Sequence, residues 1–182
     1  MKVGINDLRV EKLNFNDSKD YFNLIKDNKD RLIRYFPATV KSADSLDSIT
    51  KSIKFLIKKA EEKEVFCFCI RKNMKLVGLF FIKSINWEKK ICECAYFVDR
   101  MLEGKGITSL VFPKILSLCF NEFKLEKIFL RIDPSNLSSI RVAEKQGFKR
   151  IKVLPGEFKI ETGQFIDLIR FELRKNHGKY EF

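Results

Sequence analysis

Gly104 and Gly106 stand between a strand-like run, residues 91–98, and a helix-like run, residues 110–123, and this junction constrains the chain more than any other stretch. With no Cβ in the way, the backbone there can bend sharply and leave its N–H groups uncovered. A helix that starts at such a bend points unpaired N–H groups and the positive end of its dipole at the loop, which makes a seat for phosphate. Lys105 adds a mobile cation, and Thr108 and Ser109 add hydroxyls in the first turn. The spacing is not that of a nucleotide P-loop, which needs four residues between its glycines and then Gly-Lys-Ser/Thr. Nor is it a dinucleotide fingerprint, because no third glycine follows at the required distance. A G-x-G pair by itself fits an ordinary strand-to-helix connection equally well, so the remaining chain has to decide.

A length of 182 residues fits one domain with a sizeable core, and 45% hydrophobic content with 18 Phe argues against disorder. No apolar run reaches the length of a membrane span, and the first residues lack a signal peptide's apolar core. A soluble, cytoplasmic protein with no membrane contact is the expectation. The net charge of +12 allows an acidic partner such as ribosomal RNA, or an anionic cofactor. Lysine is spread along the whole chain without a long basic block, so the charge is read mainly as composition. Five cysteines, an odd number, read as free thiols. Cys67 and Cys69, like Cys92 and Cys94, are spaced so that each pair shares one face of a strand. A four-thiolate zinc site is conceivable, but C-x-C inside apolar strands is the wrong signature, and core cysteines with no metal are expected. His177, the single histidine, falls in a polar tail, which leaves no His triad or His metal site.

In chain order, a strand is expected over residues 8–13, a helix from Asp17 carrying Tyr21, Phe22, Leu24 and Ile25, and a short helix over residues 31–36 that Pro37 closes. Leu46, Ile49, Ile53, Leu56, Ile57 and Ala60 recur at helical spacing with lysines opposite, so residues 45–63 form an amphipathic helix. Strands follow over residues 65–71 and 75–85, joined by a hairpin at Lys72, Asn73 and Met74, and then over residues 91–98 after a turn at Glu88. The helix after the glycine loop is apolar nearly all round and should be buried, with Pro113 placed to kink it. A strand over residues 127–132 ends at Asp133 and Pro134, and a helix over residues 136–146 stops at Gly147. Two last strands, residues 148–154 and 165–173, pair through a connection at residues 157–163. The order describes a mixed α/β sheet with helices on both faces.

Asn136, Ser139, Ala143, Glu144, Lys145, Gly147 and Phe148 stand in an N-x-x-S-x-x-x-A-E-K-x-G-F pattern. That segment resembles one in the ribosomal-protein N-acetyltransferase branch of the GNAT acetyltransferases. Glu93, Tyr96 and Asp99 are similar to the branch's E-x-G-Y-x-x-D strand. The loop from Glu103 through Gly104, Lys105, Gly106 and Ile107 to Thr108 resembles the family's Gln/Arg-x-x-Gly-x-Gly/Ala pyrophosphate loop, with Glu at the first position and Thr at the last. The early stretch at residues 32–37 and the late one at residues 163–167 fit as well, so the resemblance covers roughly residues 7–174. It implies a GNAT-like, mostly antiparallel twisted sheet of about seven strands in a single domain over residues 1–182, with its core at about 7–174. It also implies transfer of acetyl from acetyl-CoA to an amine without a metal.

The chemistry needs a base, because an ammonium must lose a proton before it attacks a thioester. Glu93 has the apolar neighbours Ile91, Cys92, Cys94, Ala95 and Phe97, and burial among them would favour its neutral form and suit it to that role. Glu157 is the rival that the resemblance implies, with a longer spacing to Gly163 than the branch has, and Glu161 lies nearer the turn. The resemblance also places Ser139 near the thioester sulfur and Asn136 on the pantetheine arm; by its residue type alone Asn136 is a helix N-cap. Backbone groups of Tyr96, Phe97 and Val98 would pair with pantetheine as an added strand, and an N–H at Ala95 or Tyr96 would polarise the acetyl carbonyl. Residues 103–109, Ser109 included, would hold the pyrophosphate. Three classes follow: an enzyme acting on the α-amine of a protein, including a ribosomal one with ribosome contact; an enzyme acting on a small amine such as a polyamine or aminoglycoside; and a non-catalytic CoA- or ribosome-binding relative. A monomer and a homodimer are both compatible with the sequence.

Overall fold

Strand periodicity decides the layering of the computed structural model, which describes residues 8–175. The strands are β1 (Leu8–Lys12), β2 (Phe66–Lys72), β3 (Lys75–Asn86), β4 (Ile91–Val98), β5 (Lys127–Ile132), β6 (Lys149–Lys159) and β7 (Phe165–Arg174). They form one seven-stranded sheet in the order β1-β2-β3-β4-β5-β7-β6. Every neighbouring pair is antiparallel except β4 and β5. The helices are α1 (Ser18–Asp27), α2 (Lys29–Tyr35), α3 (Pro37–Lys41), α4 (Leu46–Glu61), α5 (Ile107–Ser117) and α6 (Leu137–Lys145). The expected mixed sheet with helices on both faces is therefore present.

Alternate residues of one strand feed two separate cores. Phe66, Phe68 and Ile70 of β2 pack with α5 and Phe120, whereas Cys67 and Cys69 point into the layer of α1 and α4. In β4, Cys92, Cys94 and Val98 join the α5 side, while Phe97 and Ala95 join the other. The two C-x-C pairs thus lie on opposite faces and do not converge. Cys92 and Cys94 instead meet Cys119, the three sulfur atoms lying within 4.8 Å of one another in the core. His177 lies outside the described residues.

Several local expectations change. Pro37 does not merely end α2: it occupies the first turn of α3, where its missing N–H has no helical partner to lose. Helix α4 is capped by the Ser45 side chain and buries Ile49 and Ile53, but Leu46 of the expected stripe is exposed. The helix after the loop starts at Ile107 rather than Leu110, and passes into a π-helical turn, Leu118–Glu122. Pro113 cannot bond the carbonyl of Ser109, and the Gln146 side chain from α6 donates to that oxygen at 3.2 Å. Strand β6 runs five residues beyond its expected end at Leu154, to Lys159, through a register shift between Leu154 and Phe158. Pro155 and the left-handed Gly156 (φ 57°) fall in that shift, which an edge strand tolerates. Gly147 does end α6 as expected: at φ 86° it lets Phe148 N–H reach Ala143 O and its own N–H reach Glu144 O, a Schellman closure.

Candidate active site

The site begins where two strands part. Strands β4 and β5 pair only from Ile91 to Glu93, opposite Lys127 to Phe129. Beyond that point the rest of β4 is laddered to β3, and the rest of β5 to β7. Gly78 keeps β3 tight against the far end of β4, since a Cβ there would meet Phe97 O at 2.6 Å. The opening between the strands forms a cleft whose walls include Glu93, Tyr96, Arg131, Asp133 and Ser139. It shares Tyr35, Phe36, Tyr96, Asn136 and Ser139 with a groove of 670 Å³ that runs to the glycine loop.

At the loop end, Asp99 accepts Met101 N–H at 2.9 Å and tightens the turn Arg100–Leu102. Gly104 and Gly106 then take left-handed conformations, φ 71° and 78°, which other residues rarely adopt. Gly106 is the N-cap of α5, so no side chain covers the first N–H groups of the helix. Those of Ile107, Thr108 and Ser109 belong to residues that line the groove, and open space lies beside both glycines. These residues fit a diphosphate. Lys105, the cation expected here, does not line the groove; Arg31, Arg141 and Lys145 do. All three come from helices distant in sequence from the loop, and no local pattern marks them. Arg31 bonds the Glu103 carboxylate and the Val98 carbonyl, so the last carbonyl expected to face pantetheine already has a partner.

At the other end lies Glu93, 3% exposed. The expectation of an apolar surround is not met. Arg131 grips both carboxylate oxygens, from Nε at 3.1 Å and Nη2 at 2.9 Å, and Lys83 Nζ lies 3.5 Å away. A bulge in β3, with Ser84 at φ 49°, turns the Ser84 hydroxyl toward Glu93 at 3.3 Å. The strand alternation that predicted an apolar setting describes the flanking residues of β4, not what β3 and β5 bring across. Glu157, on β6, reaches the same guanidinium through Nη1 at 2.8 Å. Burial works against the Arg131 charge, but the bonds to Glu93 and Glu157 more than restore it and the pKa is raised. The two candidate carboxylates are thus joined by a residue that the motifs do not mark. Glu93 lines the cleft; Glu157 does not.

Ser139 and Asn136 occupy the shared middle of the opening. The Asn136 side chain accepts Ser139 N–H at 3.1 Å and caps α6 as its residue type predicts. The Tyr96 hydroxyl is buried beside Ser139 but makes no hydrogen bond. Burial pushes that phenol well up, and nearby Ser139 opposes the shift only in part. Asp133 closes β5: its carboxylate accepts Ser135 N–H and Oγ, each at 2.7 Å, and Arg34 from α2 at 2.9 and 3.0 Å. Tyr96, Phe97, Val98, Glu103, Gly104, Gly106, Ile107, Thr108, Ser109, Asn136 and Ser139 all line the groove, whereas Lys105 lies off it and Ala95 lines the adjoining cleft instead.

An opening with bare helix N–H groups at its loop end and the buried Glu93 carboxylate in the adjoining cleft fits the class of group transferases that use a phosphate-bearing donor. The chain belongs to a specific family of that class: the model of the Acetyltransferase (GNAT) domain matches residues 7–149. "Probable N-acetyltransferase YjcK" of Bacillus subtilis strain 168 is 26% identical over 144 residues, 78% of this chain and 80% of its own length. Among solved structures, the RimL ribosomal L7/L12 α-N-protein acetyltransferase in complex with coenzyme A superposes with a TM-score of 0.86 at 15% identity, covering 92% and 94% of the two chains. A spermidine N-acetyltransferase SpeG chimera from Vibrio cholerae and hSSAT has a TM-score of 0.76 at 22% identity, covering 92% and 95%. The fold and acetyltransferase class are shared by all of these. No described helix is long and apolar enough to cross a membrane.

Proposed function

We propose that this protein transfers acetyl from acetyl-CoA to an amine by direct attack in a ternary complex, and that the amine is the N-terminal α-amine of a protein, a ribosomal protein foremost. The observation that carries the reading is the continuous opening from the uncapped start of α5 to the buried Glu93. The bound donor supplies an activated acetyl thioester. The N–H groups of Ile107, Thr108 and Ser109 hold its diphosphate, with the exposed edge of β4 at Tyr96 and Phe97 along its arm. Glu93 takes the proton that the acceptor ammonium must lose. Its place in the cleft wall supports it over Glu157, which meets the site through Arg131. Ser139, fixed by the Asn136 cap, donates a hydrogen bond to the leaving sulfur. The acceptor class follows the RimL likeness, and the SpeG likeness makes a small amine the competing result.

Two measurements test this reading. Incubation with radiolabelled acetyl-CoA should label the N-terminus of a ribosomal protein; label in polyamines alone would replace the acceptor, and no label in either would remove catalysis. Glu93→Gln should lower the rate by about 100-fold or more with CoA affinity nearly unchanged, and the deficit should shrink at high pH, where the amine arrives neutral. If only Glu157→Gln loses the acidic limb of its pH–rate profile, the base lies on β6.

A further inference from the structure

The donor groove contains an electrostatic conflict. Among the described residues that line it, Glu103 is the one acid, and it stands at the entry to the glycine loop where a diphosphate must settle. A carboxylate there repels the incoming anion unless a cation neutralises it. The structure provides that cation from α2: Arg31 lies 72 positions away in sequence and bonds Glu103 directly.

We propose that Arg31 is a donor-binding residue that exchanges Glu103 for the diphosphate of CoA. The inference rests on the acetyl-CoA reading above. Three observations support it. Arg31 lines the groove together with Gly104, Gly106 and Ile107. Its Nη1 serves Glu103 and its Nη2 serves Val98 O, with Asn28 Oδ1 at 3.3 Å, but its buried Nε has no hydrogen-bond partner. A guanidinium presents its donors in one rigid fork, so a small turn of the side chain can offer two of them to a phosphate. Finally, its base is fixed. Asn28 is 2% exposed, donates to Leu24 O at 2.9 Å and accepts Arg100 N–H at 2.8 Å, which ties the start of α2 to the loop that follows β4. Arg31 is therefore already placed at the loop, whereas Arg141 and Lys145 approach from the opposite wall on α6. The exchange leaves Glu103 without its partner, so Glu103 tempers donor affinity while Arg31 supplies it.

Calorimetric titration with CoA on the full-length protein tests the pair. Arg31→Gln keeps a hydrogen-bonding group, removes the charge and leaves Glu103 facing the diphosphate; affinity should fall by about tenfold or more. Glu103→Gln should tighten binding several-fold, and the double variant should recover part of what Arg31→Gln lost while staying weaker than Glu103→Gln alone. A strut role for Arg31, holding α2 against β4, predicts the opposite pattern: Arg31→Gln and the double variant would be equally weak and melt equally early. That result, or Glu103→Gln binding CoA no better than the parent, overturns the proposal. The Glu103→Gln comparison leaves Arg31 in place, so it decides the point even if Arg31→Gln does not fold. Absence of CoA binding by the unmodified protein would overturn the donor reading and this inference together. Normal binding that neither substitution alters would overturn this inference alone.

Discussion

At the scale of single residues, the site is made of charges that hold other charges in place. Arg131 ties Glu93 to Glu157, and Arg34 ties α2 to Asp133 at the end of β5. Burial pushes the Asp133 carboxyl up, but the Ser135 hydroxyl and N–H and the Arg34 guanidinium outweigh it and hold the pKa below its ordinary value of 3.8. A carboxyl whose folded pKa is depressed stabilises the fold above its unfolded pKa and loses that contribution as pH falls through the folded one. Asp133→Asn should therefore lower the urea midpoint at neutral pH. The gap to the parent should begin to close below about pH 4 and keep shrinking as pH falls through the depressed folded value. A gap that persists at the acid end would mean that packing, not charge, holds this corner.

The elements carry their own logic, and α5 shows it at its start and in its interior. Its start is held open by Gly106 at φ 78°, where a β-branched side chain is strained whatever room it has. Gly106→Val should reduce CoA affinity below calorimetric detection and lower the melting temperature; undiminished affinity would remove the loop from the site. One turn on, Pro113 frees the Ser109 carbonyl and Gln146 of α6 takes it. Gln146→Leu should cost about 1 kcal/mol in chemical denaturation, the scale of one hydrogen bond whose partner is left unsatisfied. In a Pro113→Ala background, where residue 113 regains its N–H, the same change should cost less. Equal costs in both backgrounds would show that Gln146 acts through packing alone.

Over the whole molecule, the sheet divides two hydrophobic layers, and the five cysteines are distributed between them. All five are buried as free thiols, and desolvation by burial pushes the Cys67 thiol well above its ordinary value. Thiolates, the reactive form, are therefore scarce as well as inaccessible at Cys67. Labelling with an aromatic disulfide reagent should be slow in the native protein and should follow global unfolding when urea is added, with all five sulfurs appearing together. Fast reaction of one thiol in native buffer would reveal local opening of the layer that holds it.

Features that neighbouring residues make together are legible along the chain. The glycine loop, the Asn136 cap, the Gly147 closure and the alternation of β2 and β4 each rest on residues within a few positions of one another, where steric and hydrogen-bonding preferences act directly. The extent of β6 was hidden because Pro155 and Gly156 mark a turn locally, while an edge strand absorbs them as a bulge. The tertiary structure alone decided the site's electrostatics. Glu93 has apolar neighbours in sequence, but the parting of β4 from β5 brings Arg131, 38 positions away, onto its carboxylate, and the β3 bulge adds Ser84. Glu103 reads as a misplaced acid until α2 folds over the loop and sets Arg31 beside it. Charges act through space and not along the chain, so their partners are fixed by strand order and helix placement, which no local pattern records.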